Sequence, residues 1–554
     1  MRTRGICTVL AGVAVAALVG CSGTARSIGQ PPRWRKPTQV RPDGNGNADR
    51  TLVFAPRSAQ TRGYNDPPFV AAPSDELNRA LEKEIMAIAG KLRIDAPKAD
   101  GRLFAAARDL AAVTPEKSTL EYRVIEFALQ RHGIIEPSPH LLVLWGPDDP
   151  AALVEQLRKR LPKILAANSF ARWGVGTAPR GRGEVATVFA LQSSSVDTDP
   201  IPRSLSRGGS FAIRGKIRNG YQSPQLFVTR PGGDVDRPAV RVSRNRFYAR
   251  VSCDDHRGKQ QIEITASNAS GSTVLANFPV WCSTSAPTSI TVKRRKNRKV
   301  NAATAERELI ALVNQARKKY GLRPLVVDPA VMKVARAYSE EMRETGVVAH
   351  ISPRSGSASD RVKAAGIKTP AVLENVARAY GVQEAHRGLM NSPGHRTNIL
   401  SKVVTHMGIG VVLGEDVGGR REMFVTQLFI RVPPKISAAR VKRKLRAKTL
   451  KVRPKLIYDS ALDKVAQRFA SDVASGKTTA AASKRAARAG PVLAKRFKGV
   501  GTVVTTVATI DAYDAESAFN EKGVTHFGIG VAQGNHPEIG EGAIYIVVMY
   551  ARAR

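Results

Sequence analysis

After its first twenty residues the chain has no apolar run long enough to cross a bilayer, so an anchored protein is expected, not a spanning one. It has no Gly-x-Ser-x-Gly elbow, no Walker-type glycine loop and no His-Glu-x-x-His helix, which sets aside the commonest hydrolase and nucleotide-binding designs. Cysteine is scarce, with four in 554 residues, and none sits in a reactive helix setting. Acidic residues are few as well: 46 against 87 lysines and arginines, a net charge of +41. That imbalance favours anionic partners, whether nucleic acid, acidic lipid or anionic envelope polymer. The length exceeds one core and suggests three or four domains.

The N-terminus chooses among those partners. Arg2 and Arg4 precede an apolar run from Ile6 to Val19 of signal-peptide length. The run ends Leu18-Val19-Gly20-Cys21-Ser22, which resembles the lipobox of bacterial lipoproteins. The resemblance implies a signal peptide over 1–20, cleavage before Cys21, lipidation of Cys21 and a membrane partner through that lipid. An exported, lipid-anchored envelope protein is therefore expected, on either membrane, with anionic envelope polymers or lipids as partners and no nucleic acid. Cys253 and Cys282 lie in one β-rich module, and an oxidising envelope favours a disulfide between them.

Residues 21–74 are rich in Pro, Gly, Arg and Asn and are expected to be a flexible tether. From Ser74 the pattern turns helical, with Leu77, Leu81, Ile85 and Ile88 on one face. Two more amphipathic stretches follow, then a strand at Leu141–Leu144, a helix from Asp149-Pro150 through Leu161, and a hairpin from Arg172 to Ala190. This predicts an α+β domain over 75–195. Residues 200–284 carry short alternating runs punctuated by Gly, Pro, Asn and Asp, the pattern of an Ig-like β-sandwich. The run Lys293-Arg294-Arg295-Lys296-Asn297-Arg298-Lys299 reads as a solvated linker. Over 302–434, Thr304 can cap one helix, Asp328-Pro329 opens another, and a hairpin begins at Met407-Gly408-Ile409-Gly410.

The densest stretch lies inside that domain. Its landmarks are His350, Glu374-Asn375-Val376-Ala377, Asn391-Ser392-Pro393-Gly394-His395-Arg396-Thr397-Asn398 and Thr405-His406-Met407-Gly408-Ile409-Gly410. In this order they resemble the bacterial branch of the CAP superfamily (cysteine-rich secretory proteins, antigen 5 and pathogenesis-related 1 proteins, also called SCP domains). The resemblance implies an α-β-α sandwich with a central cleft, and a cleft tetrad of His350, Glu374, His395 and, on the helix before Met390, Glu384. Two imidazoles and two carboxylates can hold a divalent metal such as zinc or magnesium, or exchange protons. Leu373 and Leu389 stand where bacterial relatives usually carry a glycine and an aromatic, so the cleft wall is expected to differ.

Part of the pattern recurs. Asp459-Ser460-Ala461-Leu462 parallels Asp328-Pro329-Ala330-Val331, and Val524-Thr525-His526-Phe527-Gly528-Ile529-Gly530 parallels Val404 to Gly410. Residues 456–554 thus read as a degenerate copy without the cleft motifs, joined by a basic linker over 440–455. The Gly174-Val175-Gly176 hairpin suggests the same for 75–195. The expected fold class is multi-domain α+β: a central CAP sandwich, a β-sandwich and degenerate CAP-like flanks. Because His526 persists in a copy without the other motifs, His406 is expected to support the hairpin. The expected function is binding of an anionic or amphipathic envelope ligand. The alternatives are metal-assisted hydrolysis of peptide, lipid or wall polymer, and a surface scaffold with a vestigial cleft.

Overall fold

The computed structural model describes residues 50–554 except 57–59, 66–71, 73, 115–119, 138, 168, 295–300, 418–419, 433–434, 520 and 522. The leader, Cys21 and the rest of the stretch up to residue 49 lie outside the described residues, as does most of the Lys293–Lys299 run.

Three four-stranded sheets share one topology. Each begins with a two-residue strand, which lies parallel to the first arm of a long hairpin. The second arm then pairs with an internal strand. In chain order the sheets run Lys98–Ala99, Arg172–Gly181, Glu184–Gln192, His140–Pro147; Val326–Val327, His406–Val417, Arg420–Ile430, Val372–Ala379; and Ile457–Tyr458, His526–His536, Gly540–Ala553, Phe497–Val507.

The same local chemistry builds all three. An aspartate follows the short strand and caps a helix: Asp100, Asp328 and Asp459 each accept from the amide two residues on, opening Gly101–Val113, Pro329–Thr345 and Ser460–Ala474. That helix lies directly on the hairpin. A β-carbon on Gly176, Gly410 or Gly530 would come within 2.1, 2.2 or 2.0 Å of helix backbone, so only glycine permits the contact.

Apolar side chains leave each sheet on both faces. Leu141 and Val143 join one core while Leu142 and Leu144 join another, which is why this strand reads as an unbroken apolar run. In the central domain Met407, Ile409 and Val411 enter one core and Leu428 and Ile430 another, giving the expected α-β-α layering.

Between the first and second sheets sits the β-sandwich. One sheet is ordered Arg241–Ser243, Arg246–Ser252, Ser210–Ile217, Val196–Thr198. The other is ordered Val235–Asp236, Gln222–Thr229, Gly258–Asn268, Gly271–Cys282, Ser204–Leu205. Their inner faces share Ile213, Phe247, Ile262 and Phe278. Cys253 and Cys282 are joined in a disulfide.

Several expectations need correction. The tether is shorter than 21–74, because Arg50–Phe54 pairs with Ile290–Arg294 and Phe54 enters the first domain's core. Tyr64 is fully buried and its hydroxyl donates to Pro279 O at 2.7 Å. Residues 440–455 are not a linker: Ala438–Val452 is a helix that buries Val441, Leu445 and Thr449 against the third sheet. Dense Lys and Arg mask that narrow stripe. Asn301, not Thr304, caps Ala302–Lys319 by accepting from the Thr304 amide. The helix opened by Pro150 stops at Arg158, and Leu161–Ala167 continues separately.

Candidate functional site

Glu374 is placed by register. It pairs with Leu428, which also faces Gly408, the first glycine of the hairpin motif. The equivalent positions in the other sheets are Leu141, opposite Ala190 and Gly174, and Thr502, opposite Met549 and Gly528. Of three matching positions only one carries a carboxylate.

Both oxygens of that buried carboxylate are engaged. His350 Nδ1 lies 3.0 Å from one, and Arg361 donates to the other. The Arg361 guanidinium lies 3.3 Å over the Tyr338 ring, an arrangement that suits a planar delocalised cation. His350 stands in the loop after Pro329–Thr345, a helix that ends at Gly346 in the left-handed region. Two backbone contacts hold the loop: Tyr338 Oη donates to Ala349 O at 2.5 Å, and the Ile351 amide donates to Ser270 O of the sandwich at 3.0 Å. With its Nδ1–H given to Glu374, His350 has Nε2 as its remaining ring nitrogen.

His395 lies on Pro393–Ile399, and its ring centre is 6.1 Å from that of His350. Its Nδ1 is 2.8 Å from Ser392 Oγ. Burial drives its pKa down from 6.5 to about 3, helped by His350, so the ring is neutral. Asn375 and Asn398 lock this helix to the strand. Asn375 Nδ2 donates to His395 O, and Asn398 Nδ2 donates to Glu374 O and Asn375 Oδ1.

Two further titratable groups reach the site from other domains. Glu263, on the sandwich strand Gly258–Asn268, is fully buried. It accepts from Ser392 Oγ and, at 2.8 Å, from the Gly394 amide. Burial raises its pKa from 4.5 to about 7. His140, at the start of the first domain's internal strand, is 3% exposed, and neither ring nitrogen has a hydrogen-bond partner among the described residues. Burial lowers its pKa from 6.5 to about 3.

His140, Glu263, His350, Glu374 and His395 all line one cavity of about 560 Å³. Phe170 and Leu191 of the first domain, Phe227, Val274 and Leu275 of the sandwich, and Val376 supply apolar wall. Residues of three domains thus line one cavity.

The structure therefore brings His350, Glu374 and His395 together. Glu384 is elsewhere: it is buried in the first turn of Val382–Asn391, near Tyr380, and does not line the cavity. His406 and His526 make the same contact, each Nδ1 lying 2.9 Å from the hydroxyl of the preceding threonine. Among the described residues no three His, Cys, Asp or Glu side chains are grouped as metal ligands. With Glu374 held by His350 and Arg361, the set does not fit a structural or catalytic cation as it stands.

Sequence reasoning passed over Glu263 and His140. The available signal was weak: a lone carboxylate in Gln261-Ile262-Glu263-Ile264-Thr265, a strand buried on both faces.

Residues 310–429 match the model of the cysteine-rich secretory protein (CAP) family. Over 108 residues the chain is 40% identical to the uncharacterized protein YkwD of Bacillus subtilis, covering 19% of this chain and 42% of that one. Over 109 residues it is 36% identical to the uncharacterized membrane protein YlbC of the same organism, covering 20% and 32%. The chain thus spans less than half the length of these relatives. An extracellular SCP-domain protein of Bacillus anthracis aligns over 43% of this chain and 68% of its own at 17% identity, with a TM-score of 0.22, too low to bear on the fold.

Proposed function

We propose that this chain, whose residues 310–429 form a CAP domain, binds an amphipathic small molecule of the bacterial envelope in the cavity at His350, Glu374 and His395. The supporting observation is the wall itself. Polar groups from all three domains, among them His140, Glu263, His350, Glu374 and His395, share it with apolar surface from Phe170, Leu191, Phe227, Val274 and Leu275. A volume of about 560 Å³ suits a small ligand with a polar head. The leader carries the rest of the reading: export, and lipidation at Cys21. The net charge of +41 favours an anionic surface around it.

Titrating the full chain with the fluorescent fatty acid cis-parinaric acid tests the binding. Saturable binding is expected, weakened about tenfold or more by Leu275→Asp, which puts a charge on the apolar wall. An absence of saturable binding overturns the reading. Labelling cells with palmitate tests the anchor, with incorporation expected and its loss in Cys21→Ser.

Hydrolysis is the weaker reading. Ser392 lies between Glu263 and His395, whereas a nucleophilic triad needs the imidazole between hydroxyl and carboxylate. A resident zinc or magnesium ion would have to draw Glu374 away from Arg361. Calorimetric titration with zinc chloride is therefore expected to show no tight site.

A further inference from the structure

We propose that Glu263 of the β-sandwich is a positioning residue for His395 of the CAP domain: acting through Ser392, its charge state decides which imidazole nitrogen carries the proton. The inference does not depend on which ligand, if any, the cavity takes.

The geometry is a three-member chain. Glu263 Oε2 meets Ser392 Oγ, and Ser392 Oγ meets His395 Nδ1 at 2.8 Å. Glu263 Oε1 is separately held by the Gly394 amide, so the carboxyl group cannot rotate away without losing a buried bond. A serine hydroxyl has one hydrogen to give. With Glu263 ionised, Ser392 gives that hydrogen to the carboxylate and accepts from His395 Nδ1–H. Nε2 is then a bare acceptor. With Glu263 protonated, its O–H points to Ser392, and Ser392 donates to His395 Nδ1. The imidazole proton then sits on Nε2, which becomes a donor. The proton moves only between the two nitrogens of a neutral ring, by exchange with solvent, so no net charge appears on His395.

His395 lines the cavity, so its Nε2 is the atom a guest would meet. His350 is tied by its Nδ1 to Glu374 and takes no part in this chain. His395 therefore offers an acceptor in one state, suiting a hydroxyl or amide head. In the other it offers a donor, suiting a carboxyl head. Specificity would then be set by a residue outside the CAP domain.

The surroundings of Glu263 permit both states. From Pro393–Ile399 it meets the Gly394 amide; Arg396 on that helix turns to Gly233 O and the Tyr320 ring. On the flanking strands its register partners are the uncharged Phe227 and Asn277, and Arg237 stacks on Phe227. Across the cavity stand His140, His350 and Glu374. No cation forms an ion pair with it among the described residues, and burial brings its titration to about 7.

The test is nitrogen NMR of the full chain with ¹⁵N-labelled histidine, without added ligand. His395 is assigned by the signals lost in His395→Gln. The expected wild-type spectrum shows Nδ1–H at about pH 9 and Nε2–H at about pH 5. Glu263→Gln keeps the shape and the Gly394 contact but donates to Ser392, so Nε2–H is expected at both. Ser392→Ala breaks the chain, and the tautomer is then expected to ignore pH. A wild-type tautomer that does not change with pH, a Glu263→Gln spectrum that still switches, or switching that survives in Ser392→Ala overturns the proposal. Failed cavity binding in the fatty-acid titration would leave this spectrum unaffected, so the two readings fail separately.

Discussion

Acid should unfold this protein through two histidines. His140 and His395 are buried with pKa values of about 3, against 6.5 when exposed. Below about pH 6.5 the unfolded chain takes up protons that the folded chain refuses, so stability falls as pH drops from 6.5 towards 3. Each group accounts for roughly 2 kcal/mol of that loss near pH 5. His140→Phe also removes two buried nitrogens without partners among the described residues, so urea melts of this variant should show a flatter acid limb. Glu263 acts with the opposite sign. Its raised pKa means that stability declines as pH rises from 4.5 to about 7, and Glu263→Gln should remove that decline. Glu374→Ala leaves the Arg361 guanidinium buried without its carboxylate, at a cost of about 3–5 kcal/mol. His350, Glu374 and His395 were legible because the CAP motif carries them in fixed order. Glu263 and His140 were not, since what makes them part of the site is the docking of separate domains, and no local pattern encodes that.

At the scale of elements, the glycine contacts between helix and hairpin are the sharpest test. Gly410→Ala drives a methyl group into the backbone at Arg336 and should cost about 3 kcal/mol or more in urea denaturation. Gly490→Ala, in a helical position with no atom within 4 Å of the added carbon, should be neutral or stabilise by up to about 1 kcal/mol. The disulfide spans 29 residues, and replacing both cysteines by Ser should cost the sandwich roughly 3 kcal/mol. Capping aspartates, Gly-x-Gly hairpins and apolar strands were all readable, because each is dictated within a few residues. The helix Ala438–Val452 was not. Its apolar stripe is only Val441, Leu445 and Leu450 with Thr449, set among lysines and arginines whose charge dominates any reading of the segment. Strand Arg50–Phe54 was missed because its partner lies more than two hundred residues away.

The whole molecule carries 41 more positive than negative formal charges, and no helix among the described residues is long and apolar enough to cross a membrane. The full chain should bind vesicles of anionic lipid at about 0.05 M salt and release near 1 M, because surface attraction is screened over a few ångströms there. Co-sedimentation measures this, and binding that ignores salt would assign the contact to something other than charge. The threefold use of one helix-on-hairpin joint has a further consequence, for folding. Three helices with equivalent glycine seats can exchange partners while the chain is still collapsing, as in other proteins built from like units. The first copy is separated from the second by the whole sandwich, but the second hairpin strand ends at Ile430 and the next helix begins at Ala438. Swapped intermediates should therefore form mostly between the last two copies. The polar contacts beside the seats differ between these copies: the Val411 amide donates to Glu306 of Ala302–Lys319 in one, and the matching Val531 amide to Gln467 of Ser460–Ala474 in the other. Correct assembly should therefore favour the pairing that satisfies these two side chains, neither of which lines the cavity.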